Sequence, residues 1–73
     1  MKYQPGDTVE VNKGIGTKPY RAEITEVLNI PGYNWYKGYR LRKDGEIDAR
    51  VFTPYGPQAH IIDENNIKGK LAR

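Results

Sequence analysis

The stretch Tyr39-Arg40-Leu41-Arg42-Lys43-Asp44-Gly45-Glu46-Ile47-Asp48-Ala49 reads as a β-hairpin whose register follows from side-chain chemistry. A three-residue loop, Lys43-Asp44-Gly45, with Gly45 in the left-handed region of a G1 bulge, sets Leu41 opposite Ile47 and Tyr39 opposite Ala49 on one face. On the other face Arg42 meets Glu46 and Arg40 meets Asp48. A two-residue turn at Asp44-Gly45 would oppose Arg42 to Ile47 and Leu41 to Asp48, mixing charged and apolar groups on both faces. A one-residue slip turns every side chain over, so this consistency selects the three-residue loop. Cross-strand acids are then expected to hold both arginines, each pair contributing roughly 0.2–1 kcal/mol. That makes the two arginines structural.

Outward from this hairpin, Pro and Gly recur at intervals too short for an amphipathic helix, so the chain reads as short strands separated by turns. The turn Gln4-Pro5-Gly6-Asp7 opens a strand at Thr8–Val11, with Val9 and Val11 on one face. After a glycine-containing loop from Asn12 to Pro19, a second strand runs from Tyr20 to Leu28 with Tyr20, Ala22 and Ile24 facing in. Alternation fails at Glu26-Val27-Leu28, which implies a bulge or bend there. Asn29 to Asn34 is expected to be a loop. A Pro/Gly loop from Thr53 to Gln58 follows Val51-Phe52. Then come an apolar segment around Ala59 to Ile62, a polar turn Asp63-Glu64-Asn65-Asn66, and Ile67 closing the core.

Composition narrows the function. The 73 residues make one domain, and a chain this short buries only about 60% of the surface it exposes when unfolded. There is no Cys, no Ser and a single His, which excludes disulfides, thiolate metal sites, imidazole zinc clusters and serine hydrolase chemistry. His60, beside Ile61-Ile62, reads as a partly buried strand histidine. The acidic pairs Glu23/Glu26 and Asp63/Glu64 have no companion base or nucleophile. The chain is therefore expected not to be an enzyme and to need no cofactor or metal. No apolar run approaches the ~20 residues that span a bilayer, so a cytoplasmic protein with no membrane partner is expected. The net charge is +3, but Met1 to Ile67 holds nine basic and nine acidic residues. The excess lies in Lys68, Lys70 and Arg73.

The segments Gly6-Asp7-Thr8-Val9-Glu10-Val11, Arg21-Ala22-Glu23-Ile24-Thr25-Glu26-Val27, Tyr39-Arg40-Leu41 and Ile62-Asp63-Glu64-Asn65-Asn66-Ile67 together resemble the strand order of small SH3-like barrels, the group that includes Tudor and KOW domains. Arg21-Ala22 stands where a KOW domain carries its hallmark glycine. The resemblance implies an all-β fold, a small five-stranded SH3-like antiparallel barrel over residues 1–68 followed by a flexible basic tail at 69–73, with a short 3₁₀ turn before the last strand. It also implies a binding role. Relatives in transcription and translation dock on RNA polymerase or the ribosome, and short stand-alone chains of this kind occur among phage proteins that regulate host machinery.

The densest unusual feature is Tyr33-Asn34-Trp35-Tyr36-Lys37-Gly38-Tyr39, with four aromatics in seven residues. Alternation cannot bury both Trp35 and Tyr36 on one face, so at least one of Tyr33, Trp35 and Tyr36 is exposed. Tyr and Trp are the side chains enriched at binding hot spots. The expected partner-binding set is Tyr33, Trp35, Tyr36, Lys37, Tyr55, Tyr20 and Arg50, contacting a protein such as a subunit of bacterial RNA polymerase through the loops at Asn29–Lys37 and Thr53–Gln58. One alternative is nucleic acid, with bases stacked on the aromatics and phosphates held by Lys68, Lys70 and Arg73. Another is a Tudor-like aromatic cage for methylated lysine.

Overall fold

The computed structural model describes residues 2–48, 52–53, 56–57 and 59–71; for 52–53 and 56–57 it describes the backbone. Seven strands follow in chain order: β1 (Thr8–Val11), β2 (Tyr20–Ile30), β3 (Tyr33–Leu41), β4 (Phe52–Thr53), β5 (Gly56–Pro57), β6 (His60–Asp63) and β7 (Ile67–Lys70). A 3₁₀ turn at Glu64–Asn66 joins the last two, capped by the Asp63 side chain, which accepts from the Asn65 N–H at 2.9 Å. Five strands form one antiparallel sheet in the order β6-β3-β2-β1-β7, and β4 and β5 form a separate two-stranded ribbon. The all-β, five-stranded antiparallel expectation holds. The expected closure into a barrel is not made by ladder hydrogen bonds, since β6 and β7 are the two edges of an open sheet.

The register of the 39–49 hairpin is the one that side-chain chemistry selects. Leu41 bridges Ile47, the Arg42 N–H donates to the Glu46 carbonyl at 2.7 Å, and the Asp48 N–H donates to the Arg40 carbonyl at 2.8 Å. Gly45 has φ +87°, as the loop demands. The Arg42 side chain pairs differently from expectation. The Arg42 guanidinium turns to Asp44 at 3.1 Å instead of Glu46, and the Arg40 guanidinium lies 5.0 Å from the centroid of the Tyr20 ring. The returning segment joins β3 only at this end, because β6 occupies the rest of that edge. The expected Tyr39–Ala49 pair lies outside the described residues.

Two boundaries move. The expected loop at Asn29–Asn34 is strand, with Ile30 opposite Tyr33 across a tight turn at Pro31-Gly32. Pro presets the first turn position and Gly32, at φ +84°, supplies the left-handed second one, the pattern of a type II turn. At the other end, Gly69 and Lys70 lie in β7 opposite Glu10 and Val9, where the expected tail began. Pairing runs on to Leu71, whose N–H donates to the Thr8 carbonyl at 2.8 Å.

The core is Val9, Val11, Ala22, Ile24, Tyr36, Ile62 and Ile67, with Tyr3, Tyr20 and Val27 packed against it. The expected irregularity in β2 is a register shift between Ile24 and Glu26, one residue ahead of the Glu26-Val27-Leu28 segment. The Thr25 hydroxyl donates across to the Lys37 carbonyl at 3.2 Å. Facing this bulge is Gly38, buried, where an added Cβ would stand 2.7 Å from the Glu23 carbonyl oxygen and 3.0 Å from Ile62 Cδ1. The strands cross too closely there for any side chain.

Gly38→Ala is therefore expected to destabilise the fold by about 1–3 kcal/mol in urea unfolding, because backbone must move to admit the methyl group. Gly69→Ala is the control. Its Cβ would meet nothing within 4 Å, and stability should stay level or rise by up to about 1 kcal/mol.

Candidate functional site

The β2–β3 hairpin has two faces with different fates. Directly opposed residues of an antiparallel pair share a face. One face carries Val27 opposite Tyr36, continued by Ile62 opposite Tyr36 on β6, and turns into the core. The other carries Leu28 opposite Trp35 and Ile30 opposite Tyr33, continued on β6 by Ile61 opposite Lys37 and Asp63 opposite Trp35. On this outer face Ile30, Tyr33 and Ile61 are 41%, 54% and 51% exposed. The Tyr33 and Trp35 rings touch, with centroids 4.5 Å apart and planes inclined at 42°. The Lys37 ammonium reaches Glu26 at 4.0 Å along the rim.

Tyr36 does not belong to this surface. It is fully buried, in edge-to-face contact with Tyr3 at 5.7 Å, and its hydroxyl donates to Glu64 Oε1 at 2.7 Å. The Tyr3 N–H donates to the same hydroxyl at 3.4 Å. A buried Tyr needs a partner for its polar tip, and the 3₁₀ turn supplies it. Burial first, and then the bond to the Glu64 carboxylate, push the Tyr36 pKa up from 10.0 to about 12. Expecting Tyr36 to be a binding residue is corrected on this ground: a side chain with no exposed surface cannot touch a partner.

Tyr20 lies at the far end of β2 from Tyr33 and Trp35. Its ring is half-buried between the Arg40 guanidinium and His60, with a ring separation of 6.2 Å to the histidine. The expected aromatic set thus divides into a hairpin-tip patch, one core residue and one residue at the opposite end. Lys68 is exposed on β7, and Lys70 pairs with Asp7 at 3.2 Å. Arg50, Tyr55 and Arg73 lie outside the described residues.

Ile61 and Ile30 were missed by sequence reasoning. The alternation His60-Ile61-Ile62 allows only one inward isoleucine, so the signal for Ile61 was present in the residues. For Ile30 it was hidden by reading Asn29–Asn34 as a loop. Ile15 was missed too: it is fully exposed at a turn where the Thr17 hydroxyl donates to the Gly14 carbonyl at 2.9 Å. Among the described residues, no three His, Asp or Glu gather where they could hold a metal ion, and no helix is long and apolar enough to cross a membrane. Compared with known proteins, the chain matches no family model, no curated protein and no solved structure.

Tyr36→Phe should lower stability by about 1.5–3 kcal/mol, the range for a hydrogen bond to a charged group. The pH dependence has a definite sign. A phenol whose folded pKa is raised stabilises the fold fully below pH 10 and loses that contribution as pH climbs toward 12. Urea unfolding of wild type and Tyr36→Phe should therefore converge between pH 10 and 12.

Proposed function

We propose that this chain is a non-enzymatic module that docks on another protein through the outer face of the hairpin tip, with Tyr33, Trp35, Ile30 and Ile61 as its anchors. The single observation that carries this reading is the exposed apolar patch itself. Four large apolar side chains, rimmed by Glu26, Lys37 and Asp63, stand together on the sheet face turned away from the core. Contiguous apolar surface of this kind, edged by polar groups, marks interaction sites. Aromatic anchors with few rotatable bonds lose little entropy on binding.

The same geometry favours protein over nucleic acid at this face. Among the described residues its one cation, Lys37, is balanced by Glu26, and Asp63 stands opposite Trp35, so a phosphate backbone would meet net negative charge from these groups. A methyl-lysine cage is also disfavoured, because the Tyr33 and Trp35 rings touch and leave no slot between them for an ammonium group. The strand order β6-β3-β2-β1-β7 and the 3₁₀ turn before β7 support the SH3-like reading. That resemblance makes bacterial RNA polymerase the first partner to test.

The test is a pull-down from nuclease-treated bacterial lysate, with bound proteins identified by mass, run beside Ile61→Asp and Trp35→Ala. Polymerase or ribosomal subunits should be retained by wild type and lost with both variants, while Ile61→Asp leaves the unfolding midpoint unchanged. Retention that survives both substitutions, or that vanishes with nuclease treatment, overturns the reading. A stability loss of about 3–5 kcal/mol in Trp35→Ala would place that residue in the core.

A further inference from the structure

At the opposite end of the molecule from the apolar patch, the start of β2, the end of β3 and the turn that follows enclose an open cleft of about 580 Å³. Five cations line it: Lys18, Arg21, Arg40, Arg42 and Lys43. Only two acids do, Glu10 and Asp48. The residues from Met1 to Ile67 are balanced overall, so this local excess arises from folding and not from composition. Arg42 does not take its expected cross-strand partner Glu46. Arg40 packs on the Tyr20 ring, and Arg42 makes a solvent-exposed pair with Asp44 that contributes little. Among the described residues Lys18, Arg21 and Lys43 have neither an ion-pair nor a hydrogen-bond partner.

Tyr20 also lines the cleft. The Tyr20 hydroxyl is buried and has no hydrogen-bond partner among the described residues. Buried polar groups are nearly always paired, and a bare one calls for an explanation. Burial raises the Tyr20 pKa, with Arg40 pulling it the other way, so at neutral pH the hydroxyl is a proton donor.

We propose that this cleft binds the phosphodiester backbone of a single-stranded nucleic acid, with Lys18, Arg21 and Lys43 as its mobile cations. The chemistry needed is a chain of singly charged oxyanions. Arg40 and Arg42 lie two residues apart on one strand, about 7 Å between their Cα atoms, and Arg21 sits across from the intervening Leu41. Positive charge is thus distributed along the cleft and is not focused on one point. A concave, solvent-open site suits a flexible strand, whereas a duplex is read by protruding elements that enter its grooves. Among the described residues the apolar lining is Pro19, Tyr20 and Leu41. This site differs from the C-terminal cations Lys68, Lys70 and Arg73 and is independent of the protein-docking face.

The experiment is fluorescence anisotropy with the full chain and a labelled single-stranded oligonucleotide of about 10 nucleotides, over a range of salt. Wild type should bind at low salt, with log K falling linearly in log[salt] at a slope of about −2, as for roughly three neutralised phosphates on a single strand. Lys18→Glu/Lys43→Glu should weaken binding roughly tenfold or more and flatten the slope by about 1.4. Tyr20→Phe keeps the ring and the Arg40 contact. It should leave both the affinity and the unfolding midpoint unchanged, because the lost hydroxyl has neither exposed surface nor a protein partner among the described residues. Ile61→Asp, on the docking face, should leave affinity unchanged. Absence of binding at low salt overturns the proposal. So does affinity that ignores the cleft variants but falls with Lys68→Ala/Lys70→Ala. Equal displacement by polyglutamate would assign the cleft to acidic peptide, and displacement by inorganic phosphate at comparable concentration would reduce it to a simple anion site.

Discussion

The close crossing of β2 and β3 at Gly38 is the constraint on which the rest of the structure depends. With no side chain at Gly38, the Glu23 carbonyl and Ile62 can approach the strand, and the bulge at Thr25 is accommodated across from it. The bulge adds a residue to β2 and turns the strand, so one long hairpin serves two halves of the sheet. Its Tyr20–Ile24 half pairs with β1, and the tip half of β3 pairs with β6. The bend brings Val9 and Val11 from one side and Tyr36 and Ile62 from the other into a single core. It also sends the hairpin tip and the start of β2 to opposite ends of the molecule.

With only seven buried side chains among the described residues, the core is short of large aliphatics, and Tyr36 makes up the volume. Its hydroxyl requires the carboxylate of Glu64, and the same oxygen of Glu64 also accepts from the Lys2 N–H at 3.4 Å. The 3₁₀ turn, the N-terminal segment and the centre of β3 are thereby tied through one phenol. Committing Tyr36 inward leaves Trp35 and Tyr33 outward, because neighbours on a strand point to opposite faces. The apolar patch follows directly from how the core is filled.

Charge behaves in the same way. Along the chain, basic and acidic residues balance through Ile67, which argues against a phosphate-binding body. In space they separate. Glu26, Asp63 and Glu64 lie toward the hairpin tip and the 3₁₀ turn, while Lys18, Arg21, Arg40, Arg42 and Lys43 line one cleft. The two ends thus differ in character, one apolar with acidic rim groups and one cationic.

Local chemistry in the amino-acid sequence was enough to determine the strand-rich class, the β1 boundaries, the polar turn at Asp63–Asn66 and the register of the 39–49 hairpin. Each depends on alternation or turn stereochemistry over a few residues, and those preferences act within the segment itself. The choice between Trp35 and Tyr36 for the core was not legible. Alternation says only that they oppose each other, and the sense is set by how the Thr25 bulge shifts phase between Ile24 and Val27. The extension of β2 to Ile30 and of β7 to Lys70 depends on partner strands distant in the chain. The Arg42 side chain was misassigned although its backbone register was right. Long, flexible cations choose among neighbours that only the folded chain brings near, and Asp44 took the place of the cross-strand Glu46. Sequence determined which residues alternate; tertiary packing decided which face became core, which became patch, and where the charge collected.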